Sequence, residues 1–136
     1  MALMRMIPML ESGDLKVSLA YYRDVLGFDV SGIMPDAVNP YWLALKREGA
    51  ELMFTTRNDH SPHLNPVMTG VLYFYPEDVE ALWEELKDKV TVEWPLQEFS
   101  YGMLEFGIRD CHGYLLSFGK AVSKNSQTGE QEHQER

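Results

Sequence analysis

The chain has 136 residues, about the length of one domain, and 45% of them are hydrophobic, which is enough for a core. Its net charge of -9 repels phosphate backbones, so we expect no nucleic acid partner. A single cysteine, Cys111, excludes a disulfide framework. Neither a membrane span nor a signal peptide is visible in the sequence. We therefore expect a cytoplasmic protein with no membrane partner.

The first half of the chain predicts one strand, one helix and then three strands. The first strand is expected at about 4–11 and the helix at 14–26. Asp14 is suited to the N-cap of this helix, and Gly27 to its end. The apolar positions on one face of the helix are Leu15, Leu19, Tyr22 and Leu26. The three strands are expected at about 29–34, 41–47 and 51–56.

The second half repeats this order after a polar, proline-containing linker at 57–66. A strand is expected at 69–75 and a helix at 78–88, with Asp78 at the N-cap. The apolar face of this helix comprises Val79, Leu82, Trp83 and Leu86. The remaining strands are expected at 91–94, 103–109 and 114–119. The polar residues 121–136 predict a disordered tail.

The two halves are related by a shift of 64 residues. This shift places Asp14 on Asp78, and it also superimposes Gly49 on Gly113, Leu52 on Leu116 and Phe54 on Phe118. We interpret this as an internal duplication. The prediction is one α+β domain, 1–120, with β-α-β-β-β modules at 4–56 and 68–120. We expect a curved mixed sheet with helices on its convex face and an open concave cleft.

Two segments resemble a known family, the vicinal oxygen chelate superfamily of glyoxalases, bleomycin resistance proteins and extradiol dioxygenases. GDLKVSLAYYRDVLGFDV (13–30) is similar to the first helix of that family, with Tyr21 in place of the usual Phe. DCHGYLLSF (110–118) is similar to its closing turn and last strand, with Cys111 and His112 in place of Pro-Asp. The resemblance covers about residues 5–120.

The resemblance implies four places where metal-dependent relatives hold a divalent cation. They correspond here to Ile7, Met53, Val71 and Ser117. Divalent cations of this kind need carboxylate oxygen or imidazole nitrogen, and this set provides neither. His60 and His63 have metal-like spacing but lie in a loop without a fixed third ligand. We therefore expect no metal site, no cofactor and no catalytic residue.

Alternation along the strands places methionine and tyrosine side chains on the predicted concave face. Such a lining suits a flat or amphipathic ligand held by apolar contact, with tyrosine hydroxyls fixing its orientation. The alternative is that these side chains fill the sheet interior or face a dimer partner. The candidate ligand-binding residues are Met9, Trp42, Met53, Tyr73, Tyr75, Phe99, Tyr101 and Ser117.

Three functions remain open from the sequence. The first is a metal-free, homodimeric protein that sequesters a cationic or aromatic small molecule, similar to the bleomycin resistance branch and thus to antibiotic resistance. The second is a metal-dependent enzyme of the same superfamily, a lyase, epimerase, thioltransferase or dioxygenase. The third is an interaction module without a small ligand. Charge and aromatic lining favour the first.

Overall fold

The computed structural model describes residues 1–122, so the predicted tail lies outside the described residues from 123 onward. Within this range no helix is long and apolar enough to cross a membrane. The elements in chain order are β1 Met9–Glu11, α1 Leu15–Ala20, a π-helical segment Tyr21–Val25, β2 Asp29–Met34, β3 Trp42–Arg47, β4 Ala50–Thr55, β5 Val71–Phe74, α2 Val79–Leu86, β6 Thr91–Phe99, β7 Met103–Arg109 and β8 Leu115–Ala121.

The chain forms two compact units, the first comprising Met1–Thr69 and the second beginning at Gly70. Each unit has its own four-stranded mixed sheet, with strand order β1-β4-β3-β2 in the first and β5-β8-β7-β6 in the second. The first and last strands of each unit pair in parallel, and the other neighbours are antiparallel. The α+β class and the two β-α-β-β-β modules are confirmed.

Both predicted N-caps are present. The Asp14 carboxylate accepts from the Lys16 amide, and the Asp78 carboxylate accepts from the Ala81 amide, each at 3.0 Å. These bonds satisfy amide groups that the first helical turn leaves unpaired. The N-cap positions therefore fix where both helices begin.

The first helix ends in a wider turn than the sequence predicts. The Leu26 amide donates to the Tyr21 carbonyl, five residues earlier, at 3.2 Å. Gly27 then adopts a φ of 75°, which favours glycine after a helix. The Arg47 guanidinium donates to the Leu26 carbonyl at 2.8 Å, so a cation caps the negative end of the helix.

Each unit packs its helix against one face of its sheet. In the first unit, the buried Tyr22 ring makes edge contacts with Phe28 and Phe54 at centroid distances of 5.6 and 5.3 Å. In the second unit, Phe106 stacks on Phe118, and Trp83 of α2 contacts Phe106, both at 5.0 Å. These contacts leave the opposite face of each sheet as the candidate functional surface.

Several strand boundaries differ from the predictions, among them those of β1, β6 and β8. β1 covers only Met9–Glu11 because these three residues are the ones that pair with β4. β6 continues to Phe99, beyond the predicted end at 94, because irregular pairing between Trp94 and Gln97 accommodates Pro95. β8 runs through Ala121, so the first residue of the predicted tail belongs to a strand.

The 64-residue relationship holds for the first and last strands of each unit but not for the third. Met9 pairs with Met53, and Tyr73 pairs with Ser117, as that shift requires. Ala44, however, pairs with Met53 while Gly107 pairs with Ser117, which is a shift of 63. Two residues lie between the paired Arg47 and Ala50, whereas three lie between Asp110 and Tyr114, which are joined by a backbone hydrogen bond of 2.9 Å. This turn before β8 is thus one residue longer than its counterpart, which shifts the β7 side chains by one position relative to those of β3.

Candidate functional site

The helix-free face of the second sheet is built around one row of paired residues. Tyr73 of β5 lies opposite Ser117 of β8, which lies opposite Gly107 of β7. Gly107 in turn pairs with Trp94 of β6. Because paired residues point to the same side of a sheet, this row places one phenol, one hydroxyl and one indole on a common face.

A buried carboxylate lies at the centre of this face. Glu105 of β7 is fully buried, and it accepts a hydrogen bond from the Tyr73 hydroxyl at 2.7 Å. Its second oxygen accepts from the Ser117 hydroxyl at 3.3 Å. A buried carboxylate needs such donors, because its lost hydration is costly. This explains the presence of a hydroxyl among the buried residues of β8.

Two glycines make room for the aromatic groups of this face. A side-chain carbon at Gly119 would lie 2.4 Å from the Tyr73 hydroxyl oxygen and 2.9 Å from the Glu105 β-carbon. One at Gly107 would lie 2.4 Å from the Trp94 ring. The missing side chains therefore allow the phenol to reach the carboxylate and the indole to cover the strand.

The environment of Tyr73 keeps its hydroxyl protonated. Burial raises the pKa of this phenol most, and the hydrogen bond to Glu105 and the charge of that carboxylate raise the pKa further. A negative phenolate beside a carboxylate would be repelled as well as poorly solvated. Tyr73 is therefore a neutral phenol whose proton is directed at Glu105.

Further aromatic rings surround this pair in the second unit. Tyr75 is 77% exposed, and its ring centroid lies 5.0 Å from that of Tyr73. Phe99 stacks on Tyr101 at 5.4 Å with 18° between the ring planes. Tyr101 is near enough to contribute to the raised Tyr73 pKa. The second unit thus brings together five of the predicted residues: Tyr73, Tyr75, Phe99, Tyr101 and Ser117.

The helix-free face of the first sheet carries methionine and tryptophan. Met9, 54% exposed, lies opposite Met53, and Met53 pairs with Ala44. The Trp42 ring covers Gly32, where a β-carbon would come within 2.8 Å of it. The first unit thus holds the other three predicted residues, Met9, Trp42 and Met53, on one face.

The linker histidines belong to a loop that is tied to β1. The Ser61 hydroxyl donates to the Glu11 carboxylate, and the Arg57 guanidinium lies 4.0 Å from the same group. His60 and His63 are both exposed in this loop. No cluster of three or more His, Cys, Asp or Glu that could hold a metal ion occurs between residues 1 and 122.

The four places implied by the family resemblance do not fit a divalent cation. The first-strand residues that pair with Met53 and Ser117 are Met9 and Tyr73, whereas Ile7 precedes β1 and Val71 pairs with Leu115. Thioethers are ligands for soft ions, and the Tyr73 and Ser117 hydroxyls both donate to one carboxylate. No chemical step is therefore assigned to a metal.

The sequence did not lead us to predict Glu105, which accepts hydrogen bonds from Tyr73 and Ser117 on the helix-free face of the second sheet. The signal was present, because an acidic residue lies in MLEFGIR between mostly apolar residues. A uniform shift of 64 residues makes Tyr41 the counterpart of Glu105, and this match gave no indication of where Glu105 lies. The observed shift of 63 matches Trp42 instead, which lies on the helix-free face of the first sheet.

Two β-α-β-β-β modules, each with a helix on one face of a mixed sheet, define the vicinal oxygen chelate class of fold. The sequence profile of the Glyoxalase/Bleomycin resistance protein/Dioxygenase superfamily matches residues 8–118. The chain belongs to this superfamily. No protein of curated function matches it.

Solved structures with this fold differ in their described roles. TioX from Micromonospora sp. ML1 is 18% identical, with a TM-score of 0.70 over 87% of this chain and 99% of TioX. TnmS3, an antibiotic binding protein from Streptomyces sp. CB03234, is 20% identical, with a TM-score of 0.70 over 90% and 99%. A lactoylglutathione lyase from Agrobacterium tumefaciens is 22% identical, with a TM-score of 0.64 over 86% and 93%. At these identities the likeness establishes the fold alone.

Proposed function

We propose that this chain is a metal-free binding protein that sequesters a cationic, largely planar small molecule without transforming it. The observation that carries the proposal is the Tyr73–Tyr75 ring pair above the buried Glu105 carboxylate. An exposed ring supplies a surface for stacking, and a nearby negative charge favours a cation on that surface. An antibiotic binding protein with this fold supports a small molecule as the ligand.

Ring contact supplies most of the expected affinity. Tyr75 has most of its side chain available for a ligand to cover, and the Phe99–Tyr101 stack adds apolar area in the same unit. Burying one aromatic-sized group contributes roughly 1.5 to 3 kcal/mol.

The net charge acts mainly on the rate of encounter. A charge of -9 attracts cations from a distance, and this attraction weakens as salt shortens the Debye length from roughly 30 Å at 0.01 M to 3 Å at 1 M. The same charge disfavours nucleic acid as a partner. We also propose a cytoplasmic location, in keeping with the single cysteine, and a homodimeric state.

The test is a calorimetric titration of the purified protein with 9-aminoacridinium, a planar cation. We expect saturable binding to one site per chain and recovery of unchanged ligand by mass spectrometry. Tyr75→Ala should weaken binding by about tenfold, because it removes ring surface worth about 1.4 kcal/mol or more. The loss should persist at high salt, whereas salt alone should mainly slow association.

Tyr41→Ala is the matched control. This tyrosine is 51% exposed and belongs to the first unit, next to β3, outside the proposed binding faces. We expect its replacement to leave affinity unchanged. Absence of heat with 9-aminoacridinium would instead favour the interaction module, and conversion of the ligand would favour the enzyme.

A further inference from the structure

The Tyr73 hydroxyl has one proton, and the structure commits that proton to Glu105. We propose that the Tyr73–Glu105 pair selects ligands that present a hydrogen-bond donor, such as the N–H of a protonated amine or ring nitrogen. This inference rests on the proposed binding function and names the chemistry of the ligand group that meets Tyr73. Its physical basis is that a phenol with its proton engaged can only accept.

Geometry holds the hydroxyl in this orientation. The Tyr73 oxygen lies 2.7 Å from the Glu105 carboxylate, within the range of hydrogen bonds strengthened by a full charge. The absent side chain of Gly119 provides the space that the hydroxyl occupies. Ser117 holds the other carboxylate oxygen from within the same sheet. Turning the phenol proton outward would leave a buried carboxylate with one donor fewer.

The carboxylate also polarises the phenol. A hydrogen bond to an anion shifts electron density towards the donor oxygen, so the outward lone pairs of Tyr73 become stronger acceptors. Glu105 is fully buried, so solvent screens its charge little. A cationic donor meeting Tyr73 gains from both effects. A carbonyl or carboxylate in the same place would meet lone pairs and a nearby negative charge.

Stacking on Tyr75 does not produce this preference. A ring face attracts planar cations whether their nitrogen carries hydrogen or methyl. Discrimination between an N–H cation and an N-methyl cation therefore depends on an acceptor at a fixed position. In the second unit, the half-buried phenol of Tyr73 beside the exposed ring of Tyr75 provides one.

The experiment compares 9-aminoacridinium with 10-methylacridinium, a planar cation of equal charge that has no N–H group. The unmodified protein should bind the N–H cation about tenfold or more tightly, as expected for one hydrogen bond in which a charged group takes part. Tyr73→Phe keeps the ring and removes the acceptor, so the preference should vanish. Tyr41→Phe, an exposed tyrosine in the first unit, is the control and should preserve it.

Glu105→Gln tests the second half of the pair. A glutamine amide can donate to the Tyr73 oxygen and so free the phenol proton to point outward, which should lower the preference for the N–H cation. Thermal unfolding establishes whether each variant is folded. If Glu105→Gln does not fold, the Tyr73→Phe comparison alone tests the inference. Equal binding of both cations to the unmodified protein would overturn this inference and leave the proposed function intact. Failure of both cations to bind would overturn the proposed function itself.

Discussion

Replacing Gly119 with alanine tests the packing of Tyr73 and Glu105 on the helix-free face of the second sheet. The new β-carbon would lie 2.4 Å from the Tyr73 hydroxyl oxygen, 3.2 Å from Tyr73 Cζ and 2.9 Å from the Glu105 β-carbon. Ordinary carbon contacts begin near 3.5 Å, so all three are too close. The Tyr73 hydroxyl must move away, and the buried carboxylate then loses one of its donors.

The expected destabilisation combines two effects. Overpacking a well-filled site costs about 1 to 3 kcal/mol, and a hydrogen bond to a charged group contributes about 1.5 to 3 kcal/mol. Movement of the phenol relieves part of the clash, so the two do not add fully. We expect the free energy of unfolding to fall by roughly 2 to 4 kcal/mol, or on the order of 10 °C in Tm.

Urea denaturation of the variant beside Gly70→Ala provides the measurement. No neighbouring atom lies within 4 Å of a β-carbon at Gly70, so that control should change stability by no more than about 1 kcal/mol. Adding Tyr73→Phe to Gly119→Ala should restore part of the loss, because the clashing oxygen is gone. A Gly119→Ala variant as stable as Gly70→Ala would refute the placement of the Tyr73 hydroxyl over Gly119.

Three further predictions concern the whole chain. EDTA should leave Tm unchanged because no metal binding energy contributes to folding, and a clear fall would contradict the metal-free proposal. Cys111 should react with iodoacetamide at pH 8 at least about 100-fold more slowly than free cysteine. The reason is that burial, followed by the charge of Asp110, raises the pKa of its thiol to about 12. Fast labelling would show that the thiol is not shielded. Light scattering should give about twice the 15.7 kDa chain mass, because the edge strands of both sheets favour pairing, and a mass near one chain would exclude the dimer.

Local rules predicted most of the fold. N-cap chemistry identified Asp14 and Asp78, and left-handed geometry identified Gly27, because these signals depend on residues close together in the chain. Helical and strand periodicity identified the order of elements in both units. The boundaries of β1 and β6 were less predictable, because a strand ends where its partner ends, and pairing joins residues far apart in sequence.

The candidate site was only partly predictable. Alternation placed Met9, Met53 and Tyr73 on helix-free faces, since side-chain direction follows from a period of two. Glu105 was not predicted, because the turn between β7 and β8 is one residue longer than its counterpart and changes the shift between the modules. The hydrogen bond from the Ser117 hydroxyl to the buried carboxylate could not be predicted either, because it depends on the position of Glu105.

The most direct test of metal-free binding is calorimetry on protein from which metal has been stripped. The protein would be treated with chelator, shown by elemental analysis to hold no divalent metal, and titrated with 9-aminoacridinium. We predict the same affinity and one site per chain before stripping, after stripping and after return of Zn²⁺, Mn²⁺ or Ni²⁺. Binding that disappears on stripping and returns with one equivalent of a divalent ion would contradict the account.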